Sequence, residues 1–427
     1  MTAAVQGSSE AILVATLVQL AVIVPAARAM NQLLRRLGQP GVIGEILAGL
    51  LLGPSVLGAL SPQTMHALFG PTAGPGMLVL SQIGLILLMF QIGSGFHFEH
   101  LAQRENRRTV GAVALASLVV PLVLGFVLAA AGAEWLAPQV PVVAFALFVA
   151  VAFSITAVPV LGRILQEFDM AKTPVGVIAI SAAAVNDVVG WVLLAVISMI
   201  AAARFSIASC AWPLVGLCAL CVVLRYAGRP LASRLIVRHP LEDGRVPANL
   251  MAIVLVALFC AALCTSALGV FAIFGGFLLG VVFQPHRAFV EAWRTQVGRL
   301  VLVFLLPIFF TYTGLRTDIF GLATAADWAW CGVLVGAAVA AKIVPVYFAA
   351  RFCGRSHADA LVCGTLMNAR ALMELIVLNI GLDLGVLPQK VFTMLVIMAV
   401  VTTFVTSPML RRIFRGEGRA LGPLLEA

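Results

Sequence analysis

Three observations predict an all-α polytopic membrane protein with thirteen transmembrane helices. Of its 427 residues, 62% are hydrophobic and only 11% charged, where soluble proteins average about 25% charged. Apolar windows of the length that crosses roughly 30 Å of hydrocarbon fall at 11–28, 41–58, 76–95, 109–132, 141–162, 174–202, 207–224, 247–265, 268–284, 299–315, 328–350, 358–382 and 391–410. With the N-terminus outside, 22 of the 27 Lys and Arg lie on inward segments. Arg204, Arg316 and Lys390 lie outside, and Lys342 and Arg370 fall within spans. That asymmetry fits the positive-inside rule with an N-out, C-in chain.

The formal charge of +9 does not indicate nucleic acid, because the basic residues are scattered over short loops. Arg far outnumbers Lys, which suggests a bacterial source and the cell membrane as location. The first ten residues hold no Lys or Arg, so no cleavable signal is expected and the first helix is retained. Among the eight cysteines, Cys218/Cys221 and Cys260/Cys264 share helix faces. They are expected to act as small buried hydrophobes.

Along the chain, the second span carries GEILAGLLLGPSVLG, with Glu45 near its inner end in a structural or capping role. Its AGLLLG (48–53) returns as GGFLLG (275–280) in the ninth span. The two lie seven spans apart and so run in opposite directions, as inverted-repeat transporters require. The third span ends in QIGSGFHFEH, where His97 and His100 sit at the membrane edge. The fifth reads VAFSITAVPVLGRIL. Pro159 removes a backbone N–H and frees the Ile155 carbonyl, so a helix break is expected there. Such a break is tolerated only inside protein or beside a wet cavity. Freed carbonyls with the hydroxyls of Ser154 and Thr156 would be hard oxygen ligands for an alkali cation. A plain proline kink is the alternative.

The sixth span holds Asn186 and Asp187. A carboxylate at bilayer depth costs roughly 3 kcal/mol on insertion scales, so it is expected to face an aqueous cavity and bind something. One carboxylate holds either a proton or a cation, and that competition suffices for exchange. With Asn186 in place of a second acid, one-for-one electroneutral exchange is expected; the alternative is that Lys342 loses a proton when the cation binds, so that two protons move per cation, since burial lowers a lysine pKa. A structural Asp paired to a cation on another helix is the alternative. The eighth and ninth spans are divided only at Cys264-Thr265-Ser266. The eleventh carries Lys342, which has no partner nearby in sequence and is expected to compensate charge across helices. The twelfth carries Arg370 and Glu374, spaced i,i+4 and able to pair on one helix face. They serve charge compensation or a self-contained structural pair. The chain is expected to be a single transmembrane domain over 1–427, with a short cytoplasmic tail at about 411–427 and no soluble regulatory domain.

Together GEILAGLLLGPSVLG, SITAVPVLGRIL, AAAVNDVVGW, FGGFLLGVV, LLPIFFTYTGLRTDI and LMNARALMELIVLNIGLDLGVL resemble the monovalent cation:proton antiporter-2 family. The resemblance is nearest to the branch of the plant CHX and fungal potassium/proton exchangers. It implies a sodium/proton antiporter-like fold, in which two discontinuous helices, here the fifth and twelfth spans, cross beside the ion-binding Asp187. Lys342 would be the core lysine. A homodimer in the bilayer with elevator-like alternating access is implied. No cofactor is implied beyond the transported cation and proton. Two departures stand out. Gly95 and His97 occupy positions where many relatives carry acids, and Ala371 replaces a Gly, so a less broken twelfth helix is expected. A same-fold exporter of an organic or natural-product substrate is the first rival. A membrane sensor or channel-like protein is the second. An intramembrane enzyme is disfavoured, since HExxH, GxSxG and GxGD are absent.

Overall fold

The computed structural model describes residues 2–69, 74–95, 104–170, 173–201, 207–269, 271–370 and 372–416. Among these residues the regular structure is helical, apart from an isolated bridge between Glu242 and Arg245. The helices are α1 (Thr2–Arg36), α2 (Gly41–Leu52), α3 (Pro62–Phe69), α4 (Gly74–Ser94), α5 (Arg104–Leu136) and α6 (Val142–Ser154). Then come α7 (Val158–Glu167), α8 (Pro174–Ala201), α9 (Ile207–Val223), α10 (Arg229–Arg238), α11 (Ala248–Ala267) and α12 (Ala272–Phe283). The last are α13 (Arg287–Trp293), α14 (Leu306–Leu315), α15 (Ala325–Phe352), α16 (His357–Met367), α17 (Leu372–Asp383) and α18 (Gln389–Gly416).

Ten helical stretches are long and apolar enough to cross a membrane, and a pair bent by 41° over 287–315 gives an eleventh. The other two predicted windows hold the shorter apolar helices α6 and α12. Length and composition therefore give ten or eleven spans among the described residues, with the two shorter helices in the remaining predicted windows. Windows 141–162 and 358–382 are each split into two helices, α6/α7 and α16/α17. The eighth and ninth spans part later than expected. Thr265 stays helical, its hydroxyl turned back to Ala262 O at 3.0 Å. The turn falls at Leu268–Gly269, where Gly269 has φ +77°, a left-handed conformation that glycine adopts without cost. Part of the expected tail is helical too, since α18 runs to Gly416.

The chain divides into two compact units. One comprises 1–26, 61–97 and 203–312. Here Gly276 and Gly280, one helical turn apart on α12, lie against the Ile86 and Phe90 carbonyls of α4. A Cβ at Gly276 would stand 2.5 Å from Ile86 O. Small residues four apart let two backbones approach closely. Below them Phe90, Phe283, Phe289 and Trp293 pack as an aromatic cluster, with Phe90 and Trp293 rings 4.8 Å apart.

The second unit comprises 27–60, 98–202 and 313–427. In it Gly49 and Gly53 of the related AGLLLG segment face Gly314 and Leu315. The two hexapeptides thus share a glycine register as well as a spelling. Glu45 is buried and accepts from Asn31 Nδ2 at 2.5 Å, tying the end of α1 to α2. Helices α6, α16 and α17 are apolar and buried on nearly every side. A helix hydrophobic all round belongs in the centre of a bundle. These three form the core of this unit, and both broken spans lie in it.

The cysteines depart from expectation. Cys331 and Cys363 are buried, but Cys218, Cys221, Cys260 and Cys264 are exposed. In a membrane protein an apolar residue gains as much against lipid as against protein, so apolar character did not require burial. The side chain of Cys210 lies outside the described set.

Candidate functional site

Every candidate residue from the sequence lies in the second unit. Helix α6 ends at Ser154 and the chain becomes extended at Ile155, with φ −72° and ψ 144°. Helix α7 then starts at Val158, which makes Pro159 its second residue. The break precedes the proline. At that position the missing N–H would have had no helical partner anyway, so Pro159 begins a helix and does not kink one.

The twelfth span breaks at 368–370, before Ala371, which itself lies outside the described residues. The interruption occurs without a glycine in its described residues, and contacts with α18 brace it. Asn368 Nδ2 donates to Thr402 O at 3.0 Å, and Arg370 N donates to Thr403 Oγ1 at 3.1 Å. The two breaks also meet each other. Ala157 N donates to Ala369 O at 3.3 Å, and Thr156 Oγ1 donates to Met367 O at 3.3 Å.

Breaking α6 leaves its last carbonyls without helical donors. Two buried cations take them. Lys342 Nζ donates to Ser154 O at 2.6 Å, to Thr156 Oγ1 at 2.7 Å and to Ser117 O at 2.8 Å. An ammonium has three donors, so all three are used. Arg370 Nη1 donates to Ala152 O at 2.9 Å, and its Nη2 to Ala338 O of α15 at 3.3 Å. Both charges stand at the negative end of the α6 dipole. Of the oxygens expected to bind an alkali cation, the Thr156 hydroxyl accepts from the lysine ammonium. Ser154 contributes its carbonyl there, while its hydroxyl turns back to Val151 O at 3.0 Å.

Asp187 lies at mid-length of α8 and is 5% exposed. The Val158 N–H, at the start of α7, donates to its carboxylate. A helix N-terminus is suited to negative charge. The fifth span thus turns a backbone donor toward Asp187. Asp187 Oδ1 and Asn186 Oδ1 are buried oxygens with no hydrogen-bond partner. Asn186 Nδ2 is anchored to Ser117 Oγ at 2.7 Å. No ion pair within 4 Å joins Asp187 to Lys342.

Arg370 and Glu374 do approach each other, at 3.7 Å, both fully buried. They connect to the site through the α6 carbonyls and form no direct contact with Asp187. Gly95 closes α4 with its N–H on Gln91 O at 3.0 Å. His97 and His100 lie outside the described residues.

Sequence reasoning missed Ser117, which serves Lys342 with its carbonyl and Asn186 with its hydroxyl. The signal was present. Pro121 lies four residues on, inside α5, and so removes the helical donor to the Ser117 carbonyl. A serine four residues before a proline in an apolar span marks an oxygen available to another helix.

Comparison with known proteins follows this geometry. The family described as sodium/hydrogen exchanger, transmembrane, matches residues 19–416. The chain is 38% identical over 401 residues to the Na(+)/H(+) antiporter NhaS4 of Synechocystis, covering 93% of this chain and 97% of that one. It is 34% identical to the Cation/H(+) antiporter 17 of Arabidopsis thaliana, over 95% of this chain but only 49% of that longer protein. Among solved structures it superposes on the sodium proton antiporter MjNhaP1 from Methanocaldococcus jannaschii with a TM-score of 0.66. That match covers 95% of this chain and 98% of the other at 14% identity, so it shows a shared fold.

Proposed function

The chain belongs to the sodium/hydrogen exchanger family and is a multi-pass monovalent cation/proton antiporter, and we propose that its two ions compete for the carboxylate of Asp187. The observation that carries this reading is that two consecutive residues of α8 each bury an undonated oxygen, Asn186 Oδ1 and Asp187 Oδ1. Buried acceptors without donors are costly. A cation shared between them, or a proton on Asp187, offsets that cost, and the two cannot be present together.

In this reading the ionised Asp187 and the Asn186 carbonyl hold Na+ or K+. Protonation of Asp187 removes the charge and releases the cation. Lys342 balances the charge of the site from its oxygen tripod at Ser117, Ser154 and Thr156. A carboxylate that swaps one proton for one monovalent cation moves no net charge, so exchange is electroneutral. The helix breaks at 155–157 and 368–370, bonded to each other and to Asp187 through the Val158 N–H, act as one body. Movement of that body, elevator-like, alternates the site between faces of the membrane, with the N-terminus outside. The protein works as a homodimer in the bilayer, as a single transmembrane domain.

The test is proton flux in proteoliposomes with Na+, K+ and Li+ added in turn. Asp187→Asn is expected to abolish cation-driven flux while the protein stays folded in the membrane. Substantial exchange by that variant would overturn the mechanism.

A further inference from the structure

Glu374 does not behave as the closed ion pair that its i,i+4 spacing to Arg370 predicts. The pair stands at 3.7 Å, against about 2.7–2.9 Å for a charge-assisted hydrogen bond. Arg370 directs its Nη1 and Nη2 donors to the carbonyls of Ala152 and Ala338. Both Glu374 oxygens are left fully enclosed with no hydrogen-bond partner. The charged groups that act on this carboxyl among the described residues are Arg370, from the break preceding its own helix, and Lys342, from α15. An enclosed carboxylate that is ionised but not hydrogen-bonded is in its costliest state. Taking up a proton ends that state.

We propose that Glu374 is a second proton-binding carboxylate, whose proton lowers cation occupancy at Asp187 by unmasking the charges of Arg370 and Lys342. The proposal rests on the reading of Asp187 as the cation site. Four buried groups set the charge of this region: Asp187, Glu374, Lys342 and Arg370. With both carboxylates ionised and both bases charged they sum to zero, and an arriving cation adds one positive charge. With Glu374 protonated the region already carries one net positive charge. The same arrival then meets repulsion in a medium of low dielectric, where charges act over longer range than in water. The proton on Glu374 is not exchanged for the cation. It sets the pH at which exchange runs, while one-for-one exchange at Asp187 is unchanged.

The experiment is the apparent KM for Na+ and for K+ in proteoliposomes as pH is lowered. Competition by a single proton at Asp187 raises KM by at most about tenfold per pH unit. A second linked proton makes the rise steeper than that over part of the acid limb, and this is expected of the wild type. Glu374→Gln fixes the group neutral. It is expected to raise KM severalfold at alkaline pH and to bring the slope back to about tenfold per unit or less. Glu374→Asp retains a titrating carboxyl and is expected to keep the steep limb, which serves if the Gln variant does not fold. A wild-type slope never exceeding tenfold per unit overturns the proposal with no variant needed, as does a Glu374→Gln protein with the full wild-type slope. Failure here is distinct from failure of the Asp187 reading. That reading falls only if Asp187→Asn still exchanges.

Discussion

Replacing Arg370 by Met gives a prediction whose size follows from the contacts. Arg370 is fully buried and bonded to the Ala152 and Ala338 carbonyls, with Glu374 at 3.7 Å. Met fills a similar volume but donates nothing. Ala338 O still has its own helix α15 to donate to it, whereas Ala152 O belongs to the broken end of α6 and loses its partner. Glu374 loses its nearest cation. Removing one member of a buried pair costs about 3–5 kcal/mol, a large share of the 5–15 kcal/mol that typically holds a protein folded. Glu374→Met is expected to cost less, because Arg370 keeps both carbonyls. The double variant Arg370→Met/Glu374→Met is expected to recover at least about 2 kcal/mol relative to Arg370→Met, since apolar replacement of a whole buried pair is often neutral or stabilising. The assay is thermal melting of purified protein in detergent, read as the fraction still monodisperse after heating. The expected order runs wild type, Glu374→Met, double variant, Arg370→Met, with the first two well above the last. A double variant no more stable than Arg370→Met would refute the reasoning. Arg370 would then owe its place to packing alone.

Three further outcomes are expected. Thr156→Val keeps shape but takes one acceptor from the Lys342 ammonium, which then turns toward the undonated oxygens of Asn186 and Asp187 and competes with the cation; apparent KM should rise about tenfold, the equivalent of 1.4 kcal/mol, with a smaller loss of maximal rate. Thr156→Ser should stay near wild type, and equal damage from both variants would point to the methyl group. Lys342→Met removes that competitor, so flux assays should show a lower KM with slower turnover, and a raised KM would contradict the role given to the lysine. Gly280→Leu cannot be accommodated against the backbone of α4, so fluorescence size-exclusion should show little folded protein, whereas a well-folded Leu variant would show that the close approach is not needed.

How much of this was legible in the sequence depended on whether each feature is local. Apolar windows set by chain length found the helices, and repeated glycines found the two close-packed segments, because both signals reside in a few consecutive residues. Proline also gave a real signal, although its meaning differed from place to place. Pro159 marked the start of α7, so the break lay just before it at 155–157. Pro121 left no break, yet it freed the Ser117 carbonyl that Lys342 uses. What could not be read was which donor meets which freed oxygen. The tripod around Lys342 draws on α5, the end of α6 and the break beyond it, and lies 225 and 186 residues from the lysine along the chain. An alkali cation and an ammonium want the same hard oxygens, so the residue types in SITAVP were equally suited to either occupant. Within SITAVP, the Ser154 carbonyl and the Thr156 hydroxyl are taken by a cation that the protein carries itself. On the reading proposed above, the exchanged ion is held by the oxygens with no donor, at Asn186 and Asp187. A site proposed in this form balances a mobile charge against a tethered one, so that the tether of Lys342 at Ser117, Ser154 and Thr156 is expected to set how strongly the mobile ion is held.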